Sequence, residues 1–225
     1  MSKENKIINI KNFSDYLVND NFSNNTPDLR RISFIGQHIK GMTRSYAGEL
    51  LFTLAYMQNL EGDVVEIGSF LGKSTFFLGN AVKLSGNGKL FAIDHFKGNK
   101  NKENLYKVNN DDLSDLEGIF RGNITRSELD DYVILINKSS RNASKEIKDN
   151  SVRLIFIDGD HSGEGVLNDI SFYRKKLKKN ATIIFDDYNP EVFPDLVDVV
   201  NEFVSKEKIR RKYIMHTTYV VELDF

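Results

Sequence analysis

The sequence predicts an α/β protein with a mostly parallel sheet, helices on both faces and a C-terminal antiparallel hairpin. Three observations predict it. First, Asp63–Ile67 and Lys89–Asp94 are short strand-like runs, and a glycine-containing turn and a segment of helical length separate them. A strand–turn–helix–strand unit of this kind opens a parallel sheet. Second, strand-like runs followed by helical runs recur along most of the chain. Third, Lys212–Thr217 and Thr218–Asp224 are β-rich and almost touch in sequence, which reads as a tight hairpin.

Residues 1–43 are polar and asparagine-rich, with scattered apolar positions at Phe13, Tyr16, Leu17 and Ile32. They read as an N-terminal extension of short helices and loops: a plain surface segment, a cover over a binding crevice or a homo-oligomer contact. Residues 44–225 read as one domain. Tyr46, Leu50, Leu51, Leu54 and Met57 recur at helical spacing across 44–59. Glu61-Gly62-Asp63 then turns the chain into the first strand. The helix after that strand spans Lys73 to Leu84, and Ser85-Gly86-Asn87-Gly88 is a turn cluster before the second strand.

The next strand starts at Tyr132, so the connection 95–130 is longer than usual for such units. Its first part is rich in Lys and Asn, and Leu116, Ile119 and Phe120 give its second part, 113–129, helical spacing. It reads either as a substrate lid or as a surface insertion. Further strands follow at Tyr132–Ile136, Val152–Ile157 and Ala181–Phe185, with helices near Ala143, over 165–178 and over 195–205. The basic run Arg174-Lys175-Lys176 suits the negative pole of the second of these helices.

Composition excludes several classes. The chain has 225 residues, enough for one α/β domain with a sizeable core. A net charge of −1 provides no field for nucleic acid or an anionic membrane. The absence of cysteine removes disulfides, thiolate metal sites and cysteine nucleophiles. The N-terminus lacks the apolar core of a signal peptide, and no apolar run approaches membrane-spanning length. These features predict a cytoplasmic protein with a small-molecule partner.

The turn after the first strand reads Glu66-Ile67-Gly68-Ser69-Phe70-Leu71-Gly72-Lys73-Ser74. Glycines let backbone approach a ligand, and the following helix N-terminus favours a carboxylate or phosphate. The spacing is not the G-x-G-x-x-G of dinucleotide binders. Glu66 is expected to face the ligand crevice, where it would repel a pyrophosphate and favour a cationic group. Asp94, closing the second strand, lies where such folds grip ribose hydroxyls.

Other strands also end in acids: Asp158 after the fourth, Asp186 and Asp187 after the fifth. Ligands of open α/β sheets bind outside the carboxyl ends of the strands, so these acids converge on one crevice. Neighbouring strands lie about 4.8 Å apart, which brings Asp158 near Asp186. Three hard oxygen donors suit Mg²⁺ or another divalent cation. Alternatively, one acid caps the next helix and the others are solvated.

The pattern Glu66-x-Gly68-x-x-x-Gly72-x-Ser74, with Asp94 closing the next strand, resembles the class I methyltransferases that use S-adenosylmethionine (SAM). The likeness runs from about residue 44 to the end. It is nearest to the metal-dependent O-methyltransferases, such as catechol O-methyltransferase and the macrolide-sugar enzymes. Asp-Gly-Asp-His at 158–161 also looks like related bacterial enzymes. The resemblance implies a Rossmann-like sheet. It implies that Glu66, Gly68, Ser69, Gly72 and Ser74 hold the methionine part of SAM, that Asp94 holds the ribose, and that Asp158 lines the same cofactor site. Lys138 and Ser139 fall at the adenine position, or else cap the following helix. Asp158, Asp186 and Asp187 match three metal-ligand positions. His161 stands where the catechol enzyme has its catalytic Lys, so His161 and Asp158 are the candidate catalytic residues.

The expectation is therefore methyl transfer from SAM to a hydroxyl of a sugar or natural-product type of molecule, assisted by Mg²⁺. A metal-independent N-methyltransferase, an RNA methyltransferase and a non-catalytic SAM-binding module are the rivals. His95 is expected in a loop beside Asp94, and His38 and His216 carry no role.

Overall fold

The computed structural model describes residues 8–9, 29–98 and 115–224. The positions Phe13, Tyr16 and Leu17, and the Lys- and Asn-rich run over 99–114, lie outside the described residues. The strands are β1 (Ile8–Asn9), β2 (Asp63–Ile67), β3 (Leu90–Asp94), β4 (Val133–Asn137), β5 (Val152–Ile157), β6 (Leu177–Phe185), β7 (Ile209–Met215) and β8 (Thr218–Leu223). The helices are α1 (Leu29–Gln37), α2 (Ser45–Met57), α3 (Lys73–Ser85), α4 (Leu116–Arg126), α5 (Ser140–Ala143), α6 (Gly163–Tyr173) and α7 (Pro194–Lys206).

All strands join one sheet in the order β1-β7-β8-β6-β5-β2-β3-β4. The pairs from β4 through β6 are parallel, and β8 inserts antiparallel between β6 and β7. This is the mostly parallel sheet and terminal hairpin expected from the sequence. Successive side chains on a strand point to opposite faces. Val64, Leu90, Leu154 and Ile184 accordingly pack on one side with α2, α3 and α4. Val65, Ile93, Ile155 and Ile183 pack on the other with α6 and α7. Both faces are covered, which is why these strands read as continuous apolar runs. Ile32 of α1 belongs to the first of these cores, so the helix at 29–37 packs with the residues after 44.

One strand carries a charge into that interior. Arg153 of β5 is fully buried and donates to the Ala55 carbonyl at 2.7 Å and the Gly62 carbonyl at 2.9 Å. These are carbonyls near the end of α2 and the start of β2, so the guanidinium closes the sheet edge opposite the strand C-termini. Burial pulls its pKa down to about 10.

Several element ends differ from the sequence expectation. The helix expected over 165–178 stops at Tyr173, a short 3₁₀ turn covers Arg174–Lys176, and β6 begins at Leu177. The basic residues anchor the chain there instead of extending the helix. Arg174 pairs with Glu207 at 2.7 Å, and buried Lys176 reaches Asp149 at 2.6 Å and the Ile147 carbonyl at 2.7 Å. The helix expected near Ala143 is the single turn α5. No helix among the described residues is long and apolar enough to cross a membrane.

Candidate active site

The parallel strands end together, and β2 begins the site. Gly68 follows β2 with φ +91°, and a Cβ there would lie 2.1 Å from the Asp158 carbonyl oxygen. Only glycine lets the turn after β2 press against the turn after β5. Gly72 caps α3 with φ +87°, and a Cβ on it would meet the Phe120 ring at 3.1 Å. Asn123 of α4 donates to the Leu71 carbonyl at 2.8 Å, so α4 holds this turn from outside. Ser69 is 1% exposed and its hydroxyl has no partner. A buried, unpaired hydroxyl beside a helix N-terminus is a ready ligand contact.

Glu66 does not face the crevice as expected. It is fully buried, and Thr75 of α3 donates to its Oε2 at 2.5 Å. Glu66 lies two residues after Val64 and so shares the helix-covered face of the sheet. Its other oxygen has no bond partner. Burial pushes its pKa up to about 7, although the neighbouring Ser74 and Thr75 hydroxyls hold it down in part. Glu66 therefore sits beneath the turn and braces it against α3.

Asp94 ends β3 and accepts two backbone N–H groups, from Phe70 at 2.8 Å and Phe96 at 2.7 Å. Both aromatics have positive φ, 46° and 54°. A non-glycine residue in that region costs energy, and the carboxylate offsets it at both. A carboxylate has about four acceptor positions, so room for ribose hydroxyls remains. His95 turns back on its own loop and accepts from the Lys97 N–H at 3.0 Å.

At the end of β4, the exposed Lys138 pairs with Glu146 at 2.5 Å. Ser139 precedes α5, yet its side chain makes no capping bond. The capping alternative thus fails for Ser139, and its hydroxyl stays available. Asn137 donates to Glu117, which ties the start of α4 to the same edge.

The acids after β5 and β6 do come together. Ile157 and Phe185 are partners in register, so Asp158 and Asp186 follow on adjacent strands. His161 lies between the turns. Its Nδ1 is 2.6 Å from Asp187 Oδ2, off the line of a hydrogen bond, and its Nε2 is 3.6 Å from Asp158 Oδ1. The imidazole side chain is 13% exposed and packs near the Phe193 ring, with centroids 5.1 Å apart. Asp186 instead accepts from the Thr218 hydroxyl at 3.0 Å, and burial beside Asp187 raises its pKa.

The expected ion set of Asp158, Asp186 and Asp187 was tested on this arrangement. Among the described residues, no three His, Cys, Asp or Glu side chains are grouped to hold a metal ion. Thr218 donates to Asp186, and His161 lies against Asp187. A divalent cation held by Asp158, Asp186 and Asp187 would have to share the carboxylates with the Thr218 and His161 contacts.

The sequence reading missed two polar residues around the turns, the half-buried Asn123 and the buried Asp169. Asn123 shares a helix face with Phe120 and Ile124, and Asp169 shares one with Val166, Ile170 and Tyr173. A polar group on an apolar stripe was the available signal.

Comparison with known proteins agrees with this geometry. The pattern of a methyltransferase-domain family matches residues 65–188, over half of the chain. An uncharacterized protein of Acanthamoeba polyphaga mimivirus is 30% identical over 142 residues, covering 63% of this chain and 58% of that protein. The chain thus spans under two thirds of that relative's length. The O-methyltransferase NovP superposes with a TM-score of 0.64 at 16% identity, covering 82% of this chain and 84% of that one. An O-methyltransferase from Bacillus cereus in complex with S-adenosylhomocysteine (SAH) superposes with a TM-score of 0.60 at 16% identity, covering 94% and 97%. At such identities the likeness establishes the fold. Family and fold together make the conclusion plain: the chain belongs to the methyltransferase-domain family and has the fold of the O-methyltransferases on which it superposes.

Proposed function

We propose that the chain transfers the methyl group of SAM to a hydroxyl of a small molecule of sugar or natural-product type. His161 is the base. The observation that supports this reading is the backbone contact between two turns, Gly68 against Asp158, with His161 three residues further along the second turn. The near-zero net charge supports a small acceptor over a nucleic acid.

SAM supplies an activated methyl carbon on a sulfonium. The chain's residues do the rest. The α3 N-terminus and the Ser69 hydroxyl receive the methionine end. Asp94 receives the ribose. Strands β2, β3 and β4 are neighbours, so the residues after them would hold the methionine, ribose and adenine parts in turn, with Lys138 and Ser139 at the adenine. Nε2 of His161 takes the acceptor's proton as the oxygen–carbon bond forms and the carbon–sulfur bond breaks. Asp187 and Asp158 flank the ring and stabilise the resulting imidazolium. The products are a methyl ether and SAH.

The test is methyl transfer from labelled SAM to sugars, nucleotide sugars and catechols, each beside its amine analogue. Label on hydroxyls supports the reading. Label confined to amines would replace it with N-methylation. SAH binding with no transfer to any acceptor would favour a non-catalytic module.

A further inference from the structure

Helix α1 and the turn after it carry a face that no role above uses. The segment is seated on α3. A Cβ on Gly36 would lie 2.3 Å from Phe77 Cζ, and a Cβ on Gly41 would lie 2.6 Å from Lys73 Cβ. Lys73 and Phe77 are four residues apart in α3, so both contacts fall on one stripe of that helix. Ile32, Ser33 and Gly36 are the buried side of α1. On the exposed side, Phe34 and Met42 are 64% and 65% exposed, the most of any large apolar residue described, and Ile35 is exposed as well. Around them Arg30, Arg31, Lys40 and Arg44 are all exposed. No acid lies between Asp28 and Glu49 in the sequence. Glu49 turns inward and accepts from the buried Ser33 hydroxyl. The whole-chain charge of −1 averages this local excess of cations away.

We propose that this face docks the chain on an anionic lipid bilayer. Phe34, Ile35 and Met42 enter the boundary between headgroups and acyl chains, and the four cations lie against the lipid phosphates. A single exposed apolar side chain is ordinary. Apolar tips set among cations, on a helix whose other side is packed, are what an interfacial helix presents to lipid. The charge selects among partners. A second copy across a two-fold axis would set this basic face against itself, and like charges repel. A nucleic acid would satisfy the cations but leave the aliphatic Ile35 and Met42 against phosphate. The proposal stands independently of the methyl-transfer reading.

The experiment is sedimentation of the full chain with vesicles of phosphatidylcholine alone and of phosphatidylcholine with about a third phosphatidylserine. Binding to the mixed vesicles alone is expected, and it should weaken as NaCl rises, because salt screens charges at a surface. Arg30→Gln and Arg44→Gln should each lower the affinity about fivefold. Phe34→Gln should lower it roughly tenfold. The chain has no tryptophan, so Phe34→Trp supplies a lone reporter whose emission should shift to the blue on the mixed vesicles. Leu167→Trp, at an exposed position of α6 across the sheet, should show no shift. Absence of binding to the mixed vesicles would overturn the proposal. So would equal binding to both vesicle types, or binding that Phe34→Gln and Arg30→Gln leave unchanged. A blue shift in Leu167→Trp with none in Phe34→Trp would overturn it too. Retention of a labelled RNA without vesicle binding would replace the lipid with nucleic acid. A dimer in sedimentation velocity that Phe34→Gln dissolves, again without vesicle binding, would replace it with a second copy.

Discussion

Gly68 and Asp158 touch through their backbones, and a Cβ on Gly68 would sit 2.1 Å from the Asp158 carbonyl oxygen. The cofactor turn and the turn that carries the candidate base are therefore one packed unit. Gly68→Ala should separate them. The new methyl meets backbone, which cannot move aside as a side-chain tip can, and φ is +91° there. We expect SAH to lose its stabilising effect in a thermal-shift assay. The wild type at 100 times its dissociation constant should gain about 2.7 kcal/mol. An alanine variant with a full SAH-induced shift would show that the turns tolerate separation.

Asp94 is the second joint, because it holds Phe70 and Phe96 in left-handed backbone through two N–H bonds. Asp94→Asn preserves shape but offers one oxygen where two are used. One N–H is left unpaired, which costs about 1–3 kcal/mol. SAH affinity should fall by roughly tenfold to a hundredfold. Acceptor KM should change far less, since His161 and Asp187 are untouched. Equal losses for cofactor and acceptor would mean that Asp94 supports the whole site instead of the ribose side.

Much of this arrangement was legible before the structure. The strands β2, β3, β5 and β6 are covered on both faces, so they stand out as apolar runs ending in acids. The glycine turn and the terminal hairpin carry local signals. What stayed hidden depends on partners distant in sequence. Asn123 reaches Leu71 across 52 positions, and Arg153 reaches Ala55 across 98. No local pattern encodes such pairs. Glu66 was legible in part. Period-two alternation with Val64 turns it toward α3, yet its place beside the glycines suggested the crevice. The carboxylates after β5 and β6 were expected around an ion, and the intervening imidazole was read only as a base.

Glu66 makes stability depend on pH. Its folded pKa is raised by burial from the ordinary 4.5 to about 7. The folded chain keeps this proton where the unfolded chain releases it. The favourable contribution is full below pH 4.5 and is lost as pH rises to about 7. Over that window the loss is on the order of 3 kcal/mol. Glu66→Gln should remove it, because the amide never ionises and its NH₂ can donate to the unpaired Ser69 hydroxyl. Urea unfolding of both proteins from pH 4.5 to 8 should give a stability difference that moves in favour of the variant as pH rises. A difference that stays constant with pH would assign the titration to other groups.

His161 and its two flanking carboxylates make the last prediction. His161→Ala should lower kcat by roughly 10²- to 10⁴-fold, the usual worth of a positioned base, with SAH affinity little changed. The loss should shrink for a more acidic acceptor hydroxyl, because less help is needed to remove its proton. A purely structural histidine would lower the melting temperature and show no such dependence on the acceptor. Chelation separates the base from an ion. Asp187 Oδ2 lies 2.6 Å from His161 Nδ1 and Thr218 donates to Asp186, so a cation would share the carboxylates with these contacts, and with His161 as the base none is required. The initial rate should therefore survive excess chelator. A rate that vanished in chelator and returned with Mg²⁺ would mean that the carboxylates leave the imidazole and Thr218 for the ion. That outcome would restore Asp158, Asp186 and Asp187 as its ligands.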